Sequence, residues 1–199
     1  MTLSEREARG AGYVGSKPLL HLYHSYFESL VMDALPNILY RVLGEHAAFR
    51  FVAEAARHAA IEALRRVNNY LGVSGGLTLN ETLSLQTRGY TNHSMKGRSI
   101  GMVVQSFDRM VDRGDEIVLE TANCAYAELA ARCPVTCAAC VGLVAGILSS
   151  MGHNAYPVMG PRELRMICRS LLARNIDYVV YRDDVELPRC RIVVKRIRC

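Results

Sequence analysis

Cys133-Pro134-Val135-Thr136-Cys137-Ala138-Ala139-Cys140-Val141-Gly142-Leu143-Val144-Ala145-Gly146-Ile147-Leu148-Ser149-Ser150-Met151 runs without a single charged side chain. It comes nearest in the chain to a membrane span. However, its cysteines, Pro134, Thr136 and the Gly142/Gly146 pair suit a buried helix, and no continuously apolar run reaches about 18 residues. The segment therefore reads as a helix over about 134–151 in the middle of a core. Gly142-x3-Gly146 lies inside it, where missing side chains allow another helix to approach closely.

Working outward, the flanks read as strands. Upstream, Ile117 to Thr121 is a strand, preceded by a turn at Arg113-Gly114-Asp115 and followed closely by Cys124. Downstream, Asn154 to Val158 is extended. Pro161 stands at a helix N-terminus, with Leu164, Ile167, Leu171 and Leu172 lining that helix. Ile176–Tyr181 and Cys190–Val194 read as two closing strands, connected through Asp183-Asp184 by more than a tight turn. Further upstream, Ile100, Val103, Val104, Phe107 and Val111 have helical spacing, and 88–97 is a polar loop. Leu77, Leu79, Leu83 and Leu85 alternate with polar residues as in a half-buried strand. The N-terminal part is helical: Pro18–Leu35, interrupted by Pro36, then Asn37–Leu43 ending at Gly44. A long Ala-rich helix follows from about His46 to Leu71, closed by Gly72. The expected class is α+β, with N-terminal helices followed by a mixed helix/antiparallel-sheet domain. Residues 1–16 are a flexible tail. Residues 17–199 form a single domain, of which 17–72 is a helical arm and 73–199 the sheet-containing part.

Half of the 199 residues are apolar, enough for a sizeable core, and the net charge is +5. Basic and acidic residues are mostly interspersed. The densest basic patch, Lys195, Arg196 and Arg198, lacks the long stripe and interleaved aromatics of a nucleic-acid face, so a nucleic-acid partner is not expected. The N-terminus has no apolar signal region. With seven cysteines, an odd number, complete internal pairing is impossible. The expectation is a cytoplasmic protein whose cysteines are thiols, metal ligands or redox groups, with Cys168 and Cys199 as plain core residues.

The chemistry concentrates in Cys124-x8-Cys133-x3-Cys137-x2-Cys140. Thiolates bind zinc tetrahedrally and ligate iron–sulfur clusters, and both need several sulfurs within a few ångströms. Cys137 and Cys140 lie one turn apart on a helix. Cys133 sits at the helix entrance, where the helix N-terminus favours thiolates, and Cys124 follows a strand. Other candidates are weaker. Glu54 and His58 are one helical turn apart, with His46 two turns earlier, which reads as a solvated polar face. Tyr90 and His93, with Lys96 beside them, lie in the polar loop and are the ligand-binding candidates. There is no Gly-rich phosphate loop, nucleophile elbow or H-E-x-x-H, and no carboxylate pair stands out. Catalytic residues, and whether the chain is an enzyme, are not legible.

From about Thr121 onward the chain resembles the 4-vinyl-reductase-type, hydrocarbon-binding domain family, whose fold is similar to trafficking-particle subunits. The residues that carry the resemblance are Cys140-Val-Gly142-Leu-Val-Ala-Gly146-Ile-Leu-Ser149 and Pro188-Arg-Cys190-Arg-Ile-Val-Val-Lys195. Leu43-Gly44-Glu45, leading into the Ala-rich helix, is similar to that family and to thiazoline-carboxylate hydrolase-like proteins. Phenol sensors of the family hold zinc with cysteines and a glutamate. The resemblance implies that Cys140 and Cys190 match the first and last of those positions. The family's Glu-x2-Cys and its Gly-Asp before the last cysteine are missing, Gly160–Tyr181 looks inserted, and the Cys133/Cys137 pair is extra. The implied metal set is therefore Cys124, Cys133, Cys137, Cys140 and Cys190, holding zinc or a [4Fe-4S] cluster. The expected function is binding or sensing of a small apolar or aromatic molecule. Its pocket would lie between the Leu77–Leu85 strand, the Ile100–Val111 helix and the Cys140–Met151 helix. Alternatives are an iron–sulfur enzyme or redox accessory protein, and an assembly or adaptor subunit that forms a homodimer through its N-terminal helices.

Overall fold

The computed structural model describes residues 25–26, 29–71, 107–124, 126–183 and 185–198. Five strands form one sheet in the order β1-β2-β5-β4-β3: β1 (Arg109–Asp112), β2 (Glu116–Thr121), β3 (Ala155–Pro157), β4 (Tyr178–Arg182) and β5 (Cys190–Arg196). Neighbours are antiparallel except β3 and β4, which pair in parallel. The described helices are α1 (Leu35–Leu43), α2 (Glu45–Leu71), α3 (Ala127–Arg132), α4 (Thr136–Ser150) and α5 (Pro161–Ala173). The class is α+β, with helices ahead of the strands. The parallel pair has a simple cause. A strand can pair in parallel with its successor only through a long crossover, and α5 is that crossover.

The layers follow from side-chain chemistry. α4 has no charged residue and buries eleven of its residues, including Cys137, Cys140, Gly142 and Gly146. A helix apolar on every side must be covered on every side, and α4 packs against α2 on one flank and against β3 and β4 on the other. The two glycines set the helix spacing. A Cβ on Gly142 would lie 2.0 Å from the Ala53 carbonyl oxygen, and one on Gly146 would lie 2.7 Å from the Ala60 Cβ. Ala48, Val52 and Ala53 of α2 join Val141, Val144 and Leu148 of α4 in one core with Ile117, Leu119, Ile192 and Val194 of the sheet. Val118, Tyr156, Val179, Tyr181 and Val193 point to the opposite sheet face, where Leu171 of α5 and the half-buried Leu164 and Ile167 cover them. Alternation along each strand thus feeds two cores from one sheet.

Two ties fix α2 to the β3 edge. Arg57 Nε donates to the Ala155 carbonyl oxygen at 3.1 Å. Glu163, in the first turn of α5, accepts Arg50 Nε at 3.0 Å and Arg50 Nη2 at 2.6 Å, and its second oxygen accepts the Met159 N–H at 2.6 Å. Glu163 is the one buried charged residue among those described, and these donors satisfy it.

Several expectations are corrected. Pro36 does not interrupt the helix: a π-helical stretch, Leu30–Ala34, runs directly into α1, where Pro36 occupies the first turn. Proline needs no N–H partner there, and the wider π turn makes room for its ring. Val111, expected at the end of a helix, lies in β1 and pairs with Val118. Met110 and Val111 pack into opposite cores, so the period here is two, not 3.6. Helix α3 has no counterpart in the sequence reading, because Ala127–Arg132 is too short for a periodic signal. Cys168, expected as a plain core residue, is disulfide-bonded. The alternating Leu77–Leu85 segment, the 88–97 loop with Tyr90, His93 and Lys96, and Ile100–Val104 lie outside the described residues.

Candidate functional site

The cysteines collect where the α4 N-terminus meets the sheet. In β5, the even-numbered Cys190, Ile192 and Val194 face α4, and so does Arg182 by its register with Ile192 on β4. Cys190 pairs with Thr121, the last residue of β2. Just beyond, the Cys124 N–H donates to the Pro188 carbonyl oxygen at 2.7 Å, which pins Cys124 beside the start of β5. A short turn from the Cys124 carbonyl to the Ala127 N–H, 3.1 Å, then starts α3. α3 ends at Cys133, whose carbonyl accepts the Thr136 N–H at 3.0 Å as α4 begins. Four stretches of chain therefore bring Cys124, Cys133, Cys137, Cys140 and Cys190 to one place. None of the five is disulfide-bonded, and only Cys124 is less than fully buried.

The thiols are electrostatically unequal. The Cys190 thiol donates to the Cys124 sulfur, which holds Cys124 well below the usual thiol range. Burial opposes that shift, and the Tyr126 backbone and the Arg182 guanidinium reinforce it. The same hydrogen bond, with burial and the neighbouring thiols, pushes Cys190 up. Burial pushes Cys137 up to about 11, with Arg182 pulling the other way, and burial also pushes Cys140 up. The expectation that the helix N-terminus favours thiolates thus meets a stronger opponent. A half-charge at a helix end is worth about 0.3–1 kcal/mol, and taking a thiolate out of water costs more.

Among the described residues two buried polar atoms have no hydrogen-bond partner: Arg182 Nε, whose guanidinium acts on Cys124 and Cys137, and Thr136 Oγ1, next to Cys137 in sequence. Arg182 Nη2 is satisfied by the Val185 carbonyl oxygen at 3.1 Å. A buried guanidinium edge next to soft sulfurs matches a group of thiolates that carries net negative charge, as a metal–thiolate centre does. The donor set therefore fits a soft metal in kind. In arrangement, no three His, Cys, Asp or Glu side chains among the described residues are placed to hold a metal ion. The thiols reach one another electrostatically, and Cys190 hydrogen-bonds Cys124.

Beside the cluster an open groove of about 850 Å³ lies at the end of the sheet where β2 stops and β5 begins, lined by Asp108, Thr121, Ala122, Leu187, Pro188 and Cys190. Asp108 closes its floor by accepting the Thr121 hydroxyl at 3.0 Å and the Ala122 N–H at 2.8 Å. The groove gives the Cys190 side of the cluster a route to solvent. Sequence reasoning missed Arg182 and Thr136. Arg182 was one arginine among many, and only strand register reveals which face it takes.

The histidine candidates separate. His58 Nε2 stands 4.0 Å from Glu54 on an exposed face. His46 turns instead to Glu163, at 3.7 Å. Tyr90 and His93 lie outside the described residues, as do the Leu77–Leu85 wall of the expected ligand pocket and residues 100–106 of its second wall, the rest of which runs into β1 instead of forming a helix. Compared with models of known protein families, the chain matches none, and no curated protein matches it in sequence. No described helix is long and apolar enough to cross a membrane.

Proposed function

We propose that the chain is a small-hydrophobic-ligand-binding or sensor domain with a thiolate metal centre at the junction of α4 and β5. The observation that carries this reading is the convergence of Cys124, Cys137, Cys140 and Cys190 beside the unpartnered Arg182 Nε. Bound metal would displace the protons that burial holds on Cys137, Cys140 and Cys190 and would balance the charge of the thiolates so formed, so its binding would release protons. The cysteines come from separate elements, so a metal there would tie the α4 N-terminus to β2 and β5. Ligand occupancy next to α4 would then be coupled to the brace.

The test is metal and sulfide content with a visible spectrum, on anaerobically purified protein and on Cys190→Ser and Cys137→Ser variants. One zinc per chain, lost in Cys190→Ser, is the expected result. Iron with sulfide and a broad absorption near ~400 nm would replace the brace with an iron–sulfur redox centre. Protein that takes up neither zinc nor iron after reduction would sink the metal reading.

A second reading, of a homodimer through the N-terminal helices, has its own support. Ile38, Val42 and Leu43 of α1 and Phe51 of α2 are exposed by 58%, 73%, 47% and 54%. Sedimentation of Val42→Glu against the unaltered chain tests it. A monomer in both cases removes the idea.

A further inference from the structure

The arginines fall into two groups. Arg109, Arg113, Arg191 and Arg198 each meet a carboxylate at 2.7–3.3 Å, and Arg50 meets the buried Glu163. The C-terminal basic patch that stands out in the sequence is largely spent this way: Lys195 pairs with Glu116 and Arg198 with Asp115. On α5 the opposite holds. Arg162, Arg165 and Arg169 form no ion pair with any described residue, and all three are exposed. The one acid of α5, Glu163, is buried under Arg50 and does not offset them.

Helical geometry of about 100° per residue puts Arg162, Arg165, Arg169, Met166 and Leu172 within an arc of about 120°. Leu164, Ile167 and Leu171 occupy the other side, against the sheet. Met166 is 75% exposed and Leu172 44%. Three free guanidiniums flanked by two exposed flexible apolar chains match the boundary of a bilayer, where anionic headgroups overlie acyl chains. Duplex nucleic acid would use the arginines and gain nothing from Met166 and Leu172. A single strand would call for stacking aromatics, and α5 has none.

We infer that the outer face of α5 docks on an anionic phospholipid surface, with Arg162, Arg165 and Arg169 on the headgroups and Met166 and Leu172 in the acyl boundary. This surface lies across the sheet from the thiol cluster and does not depend on it.

The full chain is sedimented with phosphatidylcholine vesicles, with and without phosphatidylserine. Binding to the phosphatidylserine vesicles alone is expected. The Arg162→Glu/Arg165→Glu/Arg169→Glu variant should bind on the order of a hundredfold more weakly, at roughly tenfold or less per basic residue. Met166→Ser/Leu172→Ser should lose about tenfold through its apolar area. Circular dichroism and thermal unfolding should show both variants folded as the parent is, since all five side chains face out. Absence of binding to acidic vesicles, equal binding to both compositions, binding indifferent to the triple variant, or tighter capture of duplex DNA at matched phosphate would each overturn the inference.

Discussion

Helices α4 and α5 cover opposite faces of one sheet and are made of different material. α4 lies between the sheet and α2, so it is uncharged and buried all round, and its glycines let the α2 backbone approach. α5 has nothing described beyond it, so it is amphipathic, with Leu171 inward and arginines outward. The difference carries over to the chemistry each side can host. On the α4 side, thiols sit in a dry junction where burial outweighs the helix end. On the α5 side the charges are wet: on the sheet Glu120 accepts Arg109 at 2.7 Å and Arg191 at 2.9 Å, and Arg191 also reaches Asp183 at 3.0 Å, while Arg162, Arg165 and Arg169 of α5 pair with no described residue. Metal–thiolate chemistry wants the first environment and electrostatic docking the second.

The largest expected break in this contrast is Gly142→Ala. Its Cβ would lie on the Ala53 backbone, which cannot rotate away, so α2 and α4 must separate. A loss of about 3 kcal/mol, read by urea unfolding, is expected. A loss below about 1 kcal/mol would mean that the helices do not pack this closely. Leu148→Ala comes next. It opens a cavity in the same dry layer and should cost about 3 kcal/mol, whereas Leu172→Ala on the outer face of α5 should stay within about 0.5 kcal/mol. Equal effects would erase the distinction between the two helices.

Glu163→Gln probes the one buried ionic tie between α2 and α5. The amide keeps its oxygen for Arg50 but loses the charge and turns an NH2 towards the Met159 N–H, so about 1–2 kcal/mol is expected, discounted because Arg50 is 40% exposed. A neutral result would show the clamp to be dispensable.

The smallest effect on stability, and the sharpest on reactivity, concerns Cys124. The thiolate is the nucleophile, so near neutral pH in metal-free protein iodoacetamide should label Cys124 ahead of Cys137, whose reaction should rise only as pH climbs towards about 11. The sign for stability follows from the same shift. A thiol held below its ordinary value stabilises the fold fully above that value, and the contribution disappears as pH falls through the lowered one. Peptide mapping that finds Cys137 labelled first would invert the assignment.

Much of the framework is legible from local pattern. The uncharged 133–151 segment, the Pro161 helix start and the strands at 117–121, 176–181 and 190–194 all recur in the structure, because burial on two faces and turn chemistry leave marks within a few residues. Gly142-x3-Gly146 was legible for the same reason. The Phe107–Val111 stretch was misread because a four-residue strand offers too few positions to separate one period from another, and β2 supplied the deciding partner. Pro36 was misread because local rules forbid proline inside a helix but do not foresee a π turn that accommodates it.

Sequence alone determined composition, the α+β order of elements and the crowding of four cysteines within a short span, since these depend on neighbours along the chain. Tertiary structure decided that Cys190 joins them, that Arg182 faces the same junction with an unpartnered Nε, and that Lys195 and Arg198 are paired while Arg162, Arg165 and Arg169 are not. Those outcomes depend on strand register and on which face each helix turns inward. A one-residue slip would send Cys190 and Arg182 to the opposite side of the sheet, and no local signal records that choice.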